Sequence, residues 1–138
     1  MIRETLLKQI FVLIVCIVVL HFSALVFYLY WSIWWYDEVV HYLGGVWIAL
    51  ASLWLFFFSG YVHLKANRSA QILAMVVIFA LTIGVLWELF EFLFGESFIV
   101  SNYEIDTLSD LLMDIAGGLS GYLYFVFRKY EKILIENN

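Results

Sequence analysis

The sequence predicts an all-α, polytopic membrane protein built as a four-transmembrane-helix bundle. Of its 138 residues, 65% are hydrophobic and 20% are aromatic, and proline is absent. This composition lies far outside that of a soluble globular domain. Four apolar runs, each near the roughly 20 residues that span a bilayer, occupy nearly the whole chain. We therefore expect one membrane domain over residues 1–138, with short connections and antiparallel neighbouring helices.

The first predicted span covers about 9–35. It is much longer than the roughly 7 to 15 apolar residues of a signal-peptide core, and no small-residue cleavage pattern follows it. We therefore expect this helix to be retained. The second, third and fourth spans are predicted at about 39–62, 70–94 and 107–127.

The basic residues fall into three groups, which four spans would place on one side of the membrane. All seven are Arg3, Lys8, Lys65, Arg68, Arg128, Lys129 and Lys132. The positive-inside rule then predicts that both termini are cytoplasmic. A net charge of -5 argues against a nucleic-acid partner, because phosphate-binding surfaces need clustered Lys and Arg.

The acidic residues have the opposite distribution. Nine of the twelve lie on the predicted outer half, which contains no Lys or Arg: Asp37, Glu38, Glu88, Glu91, Glu96, Glu104, Asp106, Asp110 and Asp114. Asp106 and Thr107 are also N-cap candidates for the fourth helix, with Asp110 completing a capping box. Asp114, about 10 Å inside that helix, has no capping role. Buried charges of this kind face the protein interior and usually mark function.

Helical spacing places these acids on stripes shared with glycine. Residues three, four and seven apart lie on one helix face, and the stripes are Asp37, His41, Gly44 and Gly45; Gly84, Glu88 and Glu91; and Asp110, Asp114, Gly117 and Gly118. Small residues allow close helix contact in membranes. We therefore expect the three acidic faces to converge.

One pattern occurs twice. Asp37-x3-His41-x2-Gly44-Gly45 recurs as Asp110-x3-Asp114-x2-Gly117-Gly118, in each case at the start of an inward-running helix. Either this is coincidence, or the chain is two repeated helical hairpins related by an approximate twofold axis along the membrane normal, with a site between them.

Converging carboxylates without a basic partner can be protonated, accept hydrogen bonds or bind a cation. Several together favour a cation, and one His with carboxylates suits a divalent metal ion such as Mg, Mn, Zn or Fe. The predicted metal ligands are His41, Glu88, Glu91, Asp110, Asp114 and Asp37. Glu88 and Glu91 are also the candidate catalytic residues, as general bases beside the ion.

Three motifs resemble those of a known family: Asp37-Glu-Val-Val-His41, Trp87-Glu88-Leu-Phe-Glu91 and Asp106-Thr-Leu-Ser-Asp110-Leu-Leu-Met-Asp114-Ile-Ala-Gly-Gly. Over about residues 37–125 the chain resembles the VanZ-like family and the related YjdF-type proteins of the bacterial inner membrane. The resemblance implies a small polytopic inner-membrane protein with a site at the His, Glu and Asp positions. The member that gives the family its name is linked to low-level glycopeptide-antibiotic resistance, without a settled mechanism. The resemblance therefore implies a location and a site rather than an activity.

Three functions remain open from the sequence. The first is a metal-dependent membrane protein that acts as a hydrolase or transferase on a lipid-linked or cell-envelope substrate. Its partners would then be membrane lipids. The second is a proton or cation conductor, in which His21 continues the acidic cluster and a homo-oligomer encloses the path. The third is a non-catalytic assembly subunit whose acids are protonated. His21 is otherwise expected to be a neutral histidine hydrogen-bonded to a neighbouring helix.

Overall fold

The computed structural model describes residues 2–61, 69–94 and 103–128. Within these ranges the chain is helical and contains no strand: α1 (Ile2–Phe27), α2 (Leu29–Ser32), α3 (Tyr36–Phe57), α4 (Ser69–Phe94) and α5 (Tyr103–Phe127). Helices α1, α3, α4 and α5 are long and apolar enough to cross a membrane. The prediction of an all-α, four-span membrane protein is confirmed. The expected end of the second span at residue 62, together with Lys65, Arg68, Glu96, Lys129 and Lys132, lies outside the described residues.

The first helix differs most from its predicted bounds. It begins at Ile2 and ends at Phe27, rather than near residue 35, because Tyr28 adopts a left-handed backbone conformation with φ 56°. This conformation is costly for a non-glycine residue and interrupts a right-handed helix. The short helix α2 follows, and Ile33 is extended. The chain therefore turns into α3 through an aromatic segment in which Tyr36 donates a hydrogen bond to the Leu20 carbonyl at 3.1 Å.

Helices α3 and α5 form the most extensive helix pair of the bundle. Glycine lets their backbones touch: a Cβ built on Gly45 would overlap the Asp114 carbonyl oxygen, and one built on Gly117 would overlap the Tyr42 carbonyl oxygen. This confirms the close helix contact expected from the glycine stripes. We call the end of the bundle where α3 and α5 begin and α4 ends the acidic end.

The repeated pattern has a spatial counterpart at this helix pair. Equivalent positions of the two copies face each other: His41 lies against Asp114, and Asp37 groups with Asp110. A twofold axis between α3 and α5 would produce this arrangement. The outer helices follow it less closely, because α4 packs against both central helices whereas α1 packs mainly against α3.

The tightly packed core lies at the other end of the bundle. Its largest fully buried side chains are Leu6, Leu53, Ile72, Val76 and Phe125, contributed by all four spans. Helix α1 is further held there by tryptophan: Trp47 Nε1 donates to the Ile10 carbonyl at 3.2 Å, and Trp54 Nε1 donates to the Arg3 carbonyl at 3.1 Å. The bundle is therefore closed at this end.

Candidate metal centre

His41 is the centre of the acidic end. Its ring is buried, and its Nδ1 lies 3.4 Å from Asp114 Oδ2, while its Nε2 lies 3.8 Å from Asp37 Oδ1 and 4.0 Å from Glu88 Oε1. These three carboxylates come from α5, α3 and α4, respectively. The convergence of three helix faces that their spacing predicts is therefore present in the structure.

Asp110 completes the group. One ligand atom from each of Asp37, His41 and Asp110 can be chosen so that all three lie within 4.8 Å of one another. Asp110, Asp114 and Glu88 expose 2%, 3% and 6% of their surface, respectively. We call these five residues, Asp37, His41, Glu88, Asp110 and Asp114, the His41 cluster.

The spacing within the cluster distinguishes hydrogen bonding from shared coordination. Distances of 3.8 and 4.0 Å from His41 Nε2 to Asp37 and Glu88 exceed the roughly 2.7 to 3.2 Å of a hydrogen bond. Ligand atoms about 2.0 to 2.2 Å from one divalent ion lie roughly 3 to 4.3 Å from each other. Both distances are too long for a direct hydrogen bond and lie within the range for two ligand atoms of one ion. The group whose ligand atoms all lie within 4.8 Å of one another is Asp37, His41 and Asp110.

Glu88 is the cluster member whose hydrogen bonding is incomplete. Its Oε2 accepts a hydrogen bond from Thr107 Oγ1 at 2.7 Å, and its backbone carbonyl accepts one from the Tyr103 hydroxyl at 3.0 Å. Its Oε1, which faces His41, is buried and has no hydrogen-bond partner among the residues that the structure describes. An unsatisfied buried acceptor costs about 1 to 3 kcal/mol, and more when it is charged.

Thr107 has a different role from the one its sequence position suggested. Helix α5 begins at Tyr103, so Thr107 lies inside the helix, and the expected cap formed by Asp106 and Thr107 is wrong. Its hydroxyl instead fixes Glu88 on the neighbouring helix. A contact between two helices, such as this one, cannot be predicted from the residue spacing within either helix.

Glu91, predicted as a ligand and as a general base, lies beside the cluster. Its Oε1 accepts a hydrogen bond from Trp87 Nε1 at 2.7 Å, and its side chain lines a cavity next to His41. The structure therefore separates the two predicted catalytic carboxylates. Glu88 faces His41, and Glu91 faces the cavity.

Gly84 is the glycine that accommodates the carboxylate of Asp114. A Cβ on Gly84 of α4 would overlap Asp114 Oδ2, whereas a Cβ on Gly44 of α3 would lie 3.9 Å from Asp114 Oδ1, an ordinary contact. Gly84 therefore leaves the space in which the Asp114 carboxylate meets His41.

The cavity beside the cluster has a volume of about 220 Å³. Asp37, His41 and Asp114 form part of its wall, and His21 lies farther along α1. His21 Nδ1 is 2.7 Å from the Tyr30 hydroxyl, and its ring meets Trp87 edge-on at 5.9 Å. Burial raises the pKa of the Tyr30 hydroxyl, and the charge of Asp37 adds to this effect, so Tyr30 keeps its proton near neutral pH.

A family model with the description "Predicted membrane protein (DUF2238)" matches residues 3–130. The chain belongs to this family. The match covers all four spans and supports a small membrane protein family, but it does not specifically support the resemblance to VanZ-like or YjdF-type proteins. No curated protein and no solved structure matches the chain.

Proposed function

We propose that this protein binds a divalent metal ion in the His41 cluster and uses it, as a hydrolase or transferase, on a lipid-linked or cell-envelope substrate. The observation that carries the proposal is Glu88 Oε1, 4.0 Å from the ring nitrogen of His41. It is a buried carboxylate oxygen for which residues 2–61, 69–94 and 103–128 provide no hydrogen-bond partner. The resemblance to VanZ-like and YjdF-type proteins is part of this proposal.

The charge of the cluster supports a cation. Four carboxylates surround one imidazole, and the described residues of the acidic end include no Lys or Arg. Adjacent anions disfavour one another's ionised form unless a cation offsets the repulsion. A protonated His41 supplies at most one positive charge, whereas a divalent ion supplies two.

The orientation of the chain is also proposed. The acidic end faces the outside of the cell, because Arg3 and Lys8 lie in the first two turns of α1 and every other Lys and Arg lies after α5 or between α3 and α4. Such residues favour the cytoplasmic side. The site then faces the outer leaflet, where cell-envelope substrates are found.

The residues of the cluster have distinct proposed roles. Asp37, His41 and Asp110 hold the ion together with Glu88, whose free oxygen faces it. Asp114 accepts a hydrogen bond from His41 Nδ1 and orients the ring, a carboxylate–histidine arrangement common at metal sites. This modifies the sequence expectation that Asp114 is itself a ligand. The sequence expectation that Glu91 is a general base is not carried into this proposal. Glu91 lies on the cavity wall and faces the space in which a substrate would lie. The ion, when bound, polarises a phosphoryl or carbonyl oxygen.

Metal binding tests the proposal. Protein purified with a chelator is titrated with Zn²⁺ and with Mn²⁺ by calorimetry, for wild type, Glu88→Gln and Glu104→Gln. Glu104 is an exposed acid at the start of α5, so its amide variant is the matched control. We expect one ion per chain in wild type and Glu104→Gln. Loss of an outer-shell partner costs about 10 to 100-fold in affinity, so Glu88→Gln, which removes a proposed ligand, should lose about 100-fold or more.

Equal affinity in wild type and Glu88→Gln would contradict the proposed ligand set. The absence of stoichiometric metal from wild type would leave the cluster as protonated carboxylates, in line with a non-catalytic assembly subunit.

Proton or cation transport is the competing proposal, and one observation favours it: His21 and His41 line the same cavity. The packed core around Leu53 and Phe125 at the other end of the bundle argues against a path through one protomer. A proton flux in liposomes that disappears with His21→Ala would favour transport, and a homo-oligomer would then be needed to enclose the path.

A further inference from the structure

The cavity beside the His41 cluster is a long groove between α1, α3 and α4. Its apolar wall is formed by Ile14 and Ile17 of α1, Val40 and Ile48 of α3 and Ile83 of α4. Along α3 it extends from Asp37 to Ile48, which at 1.5 Å per residue is about 16 Å. The groove therefore runs from the acidic end into the membrane interior.

The size and surroundings of the groove suit a hydrocarbon chain. A dry apolar cavity of about 150 Å³ holds a benzene ring, and this groove, at about 220 Å³, has room for a longer apolar group. Helix α1 packs mainly against α3, so the side of the groove toward α4 has few helix contacts, among them the edge-on pair of His21 and Trp87. Within a membrane, the molecules adjoining this side are lipids.

The polar end of the groove is negative. Glu91 lies on the groove wall together with the cluster members and accepts a hydrogen bond from Trp87. The ring of Tyr30 lines the same wall. A carboxylate beside aromatic rings attracts an ammonium group, both by charge and by cation–π contact. The described residues at this end contain no Lys or Arg to provide that charge.

We infer that the groove binds the head-proximal part of one hydrocarbon chain of an amine-headed phospholipid, which enters sideways from the bilayer and places its ammonium group against Glu91. The phosphate of such a lipid is then next to the His41 cluster. The inference rests on the proposed function in one respect, because the ion occupies the cluster carboxylates and leaves Glu91 as the unmatched charge of the groove. The substrate would then belong to the lipid-linked class, and the protein would recognise both its hydrocarbon chain and its ammonium group.

Competition between two lipids tests the inference. Delipidated protein loaded with Zn²⁺ is mixed with palmitoyl-oleoyl phosphatidylethanolamine and phosphatidylglycerol, which share their chains, and retained lipid is counted by native mass spectrometry. We expect wild type to retain one phosphatidylethanolamine, preferred about fivefold, the effect of a partly exposed charge pair. Glu91→Gln should retain lipid but lose the preference.

Two tryptophan variants test the chain-binding part. Ile17 lines the groove, whereas the adjacent Val18 is 44% exposed on the lipid-facing surface. Ile17→Trp fills the groove and should lower lipid retention about tenfold by excluding a few methylene groups, while Val18→Trp should leave it unchanged. Zn²⁺ binding should be intact in both, which shows that both are folded.

Three results would overturn the inference: equal retention of the two lipids by wild type, preference for phosphatidylglycerol, or equal retention by the two tryptophan variants. Normal Zn²⁺ binding with any of these results rejects the lipid site and keeps the metal centre. Lipid selectivity without Zn²⁺ binding rejects the metal centre and keeps the groove.

Discussion

Replacing Gly45 with Ala should separate the two central helices and destabilise the bundle. A Cβ on Gly45 would lie 2.9 Å from the Asp114 carbonyl carbon and 3.0 Å from its Cα, and would overlap the carbonyl oxygen. These atoms belong to backbone, so no side-chain rotation relieves the overlap. Helices α3 and α5 would have to move apart by several tenths of an ångström or more.

The expected cost can be estimated from overpacked cores. Inserting a methyl group into a packed interior costs about 1 to 3 kcal/mol, and a backbone-to-backbone contact places Gly45→Ala at the upper end. Alanine favours helix over glycine by about 0.8 to 1 kcal/mol, which offsets part of the loss. The net loss in free energy of unfolding is therefore about 2 kcal/mol.

Gly44 provides the matched control. It precedes Gly45 on the same helix, but its Cβ would lie 3.9 Å from the nearest heavy atom, an oxygen of Asp114. Gly44→Ala should therefore be neutral or up to about 1 kcal/mol more stable. The two variants should differ by about 2 to 3 kcal/mol, and the measurement is reversible unfolding by dodecyl sulfate in mixed micelles with a chelator present. Equal stability of the two variants would refute the helix contact at Gly45.

Further predictions concern the cluster and its surroundings. Gly84→Ala should displace the Asp114 carboxylate and lower Zn²⁺ affinity measured by calorimetry, whereas unchanged affinity would show that the carboxylate has another position. Thr107→Val removes the hydrogen bond to Glu88 and should lower metal affinity by about tenfold, with Thr107→Ser restoring it. Metal affinity should fall as the pH is lowered, because the ligands must lose protons to bind; a flat profile in the same titration would argue against carboxylate ligands. Burial raises the pKa of Tyr30 above its ordinary value of 10.0, so its contribution to stability is present below about pH 10 and is lost at higher pH. The ultraviolet titration of wild type minus that of Tyr30→Phe should accordingly show no ionisation below about pH 10.

The features that the sequence predicts best are those set by periodicity. Helical spacing placed Asp37 and His41 on one face and Asp110 and Asp114 on another, and the adjacent glycines indicated that these faces would meet. Helical spacing depends on one helix alone, and the glycines mark close helix contact by their positions in the sequence. They are therefore readable without the fold.

The features that the sequence does not predict depend on neighbours. Glu88 and Glu91 share a helix face, yet a rotation of about 60° around α4 directs one toward His41 and leaves the other beside Trp87. The helix break at Tyr28 could not be predicted, because neither glycine nor proline lies at that point of the sequence. In both cases the outcome is decided by packing against other helices, which local pattern does not contain.

The backbone contact between α3 and α5 has a consequence for ion selectivity. Gly45 lies one helical turn below His41, and its contact with the Asp114 backbone fixes the separation of the two helices close to the ligands. If the His41 cluster binds an ion as proposed, a cage of this rigidity would not widen for calcium, which prefers six to eight oxygens at about 2.3 to 2.6 Å. It would suit smaller ions bound at about 2.0 to 2.2 Å. Gly45, with Gly117 on the facing helix, would in this way discriminate by ionic radius, although neither glycine has a side chain to offer the ion.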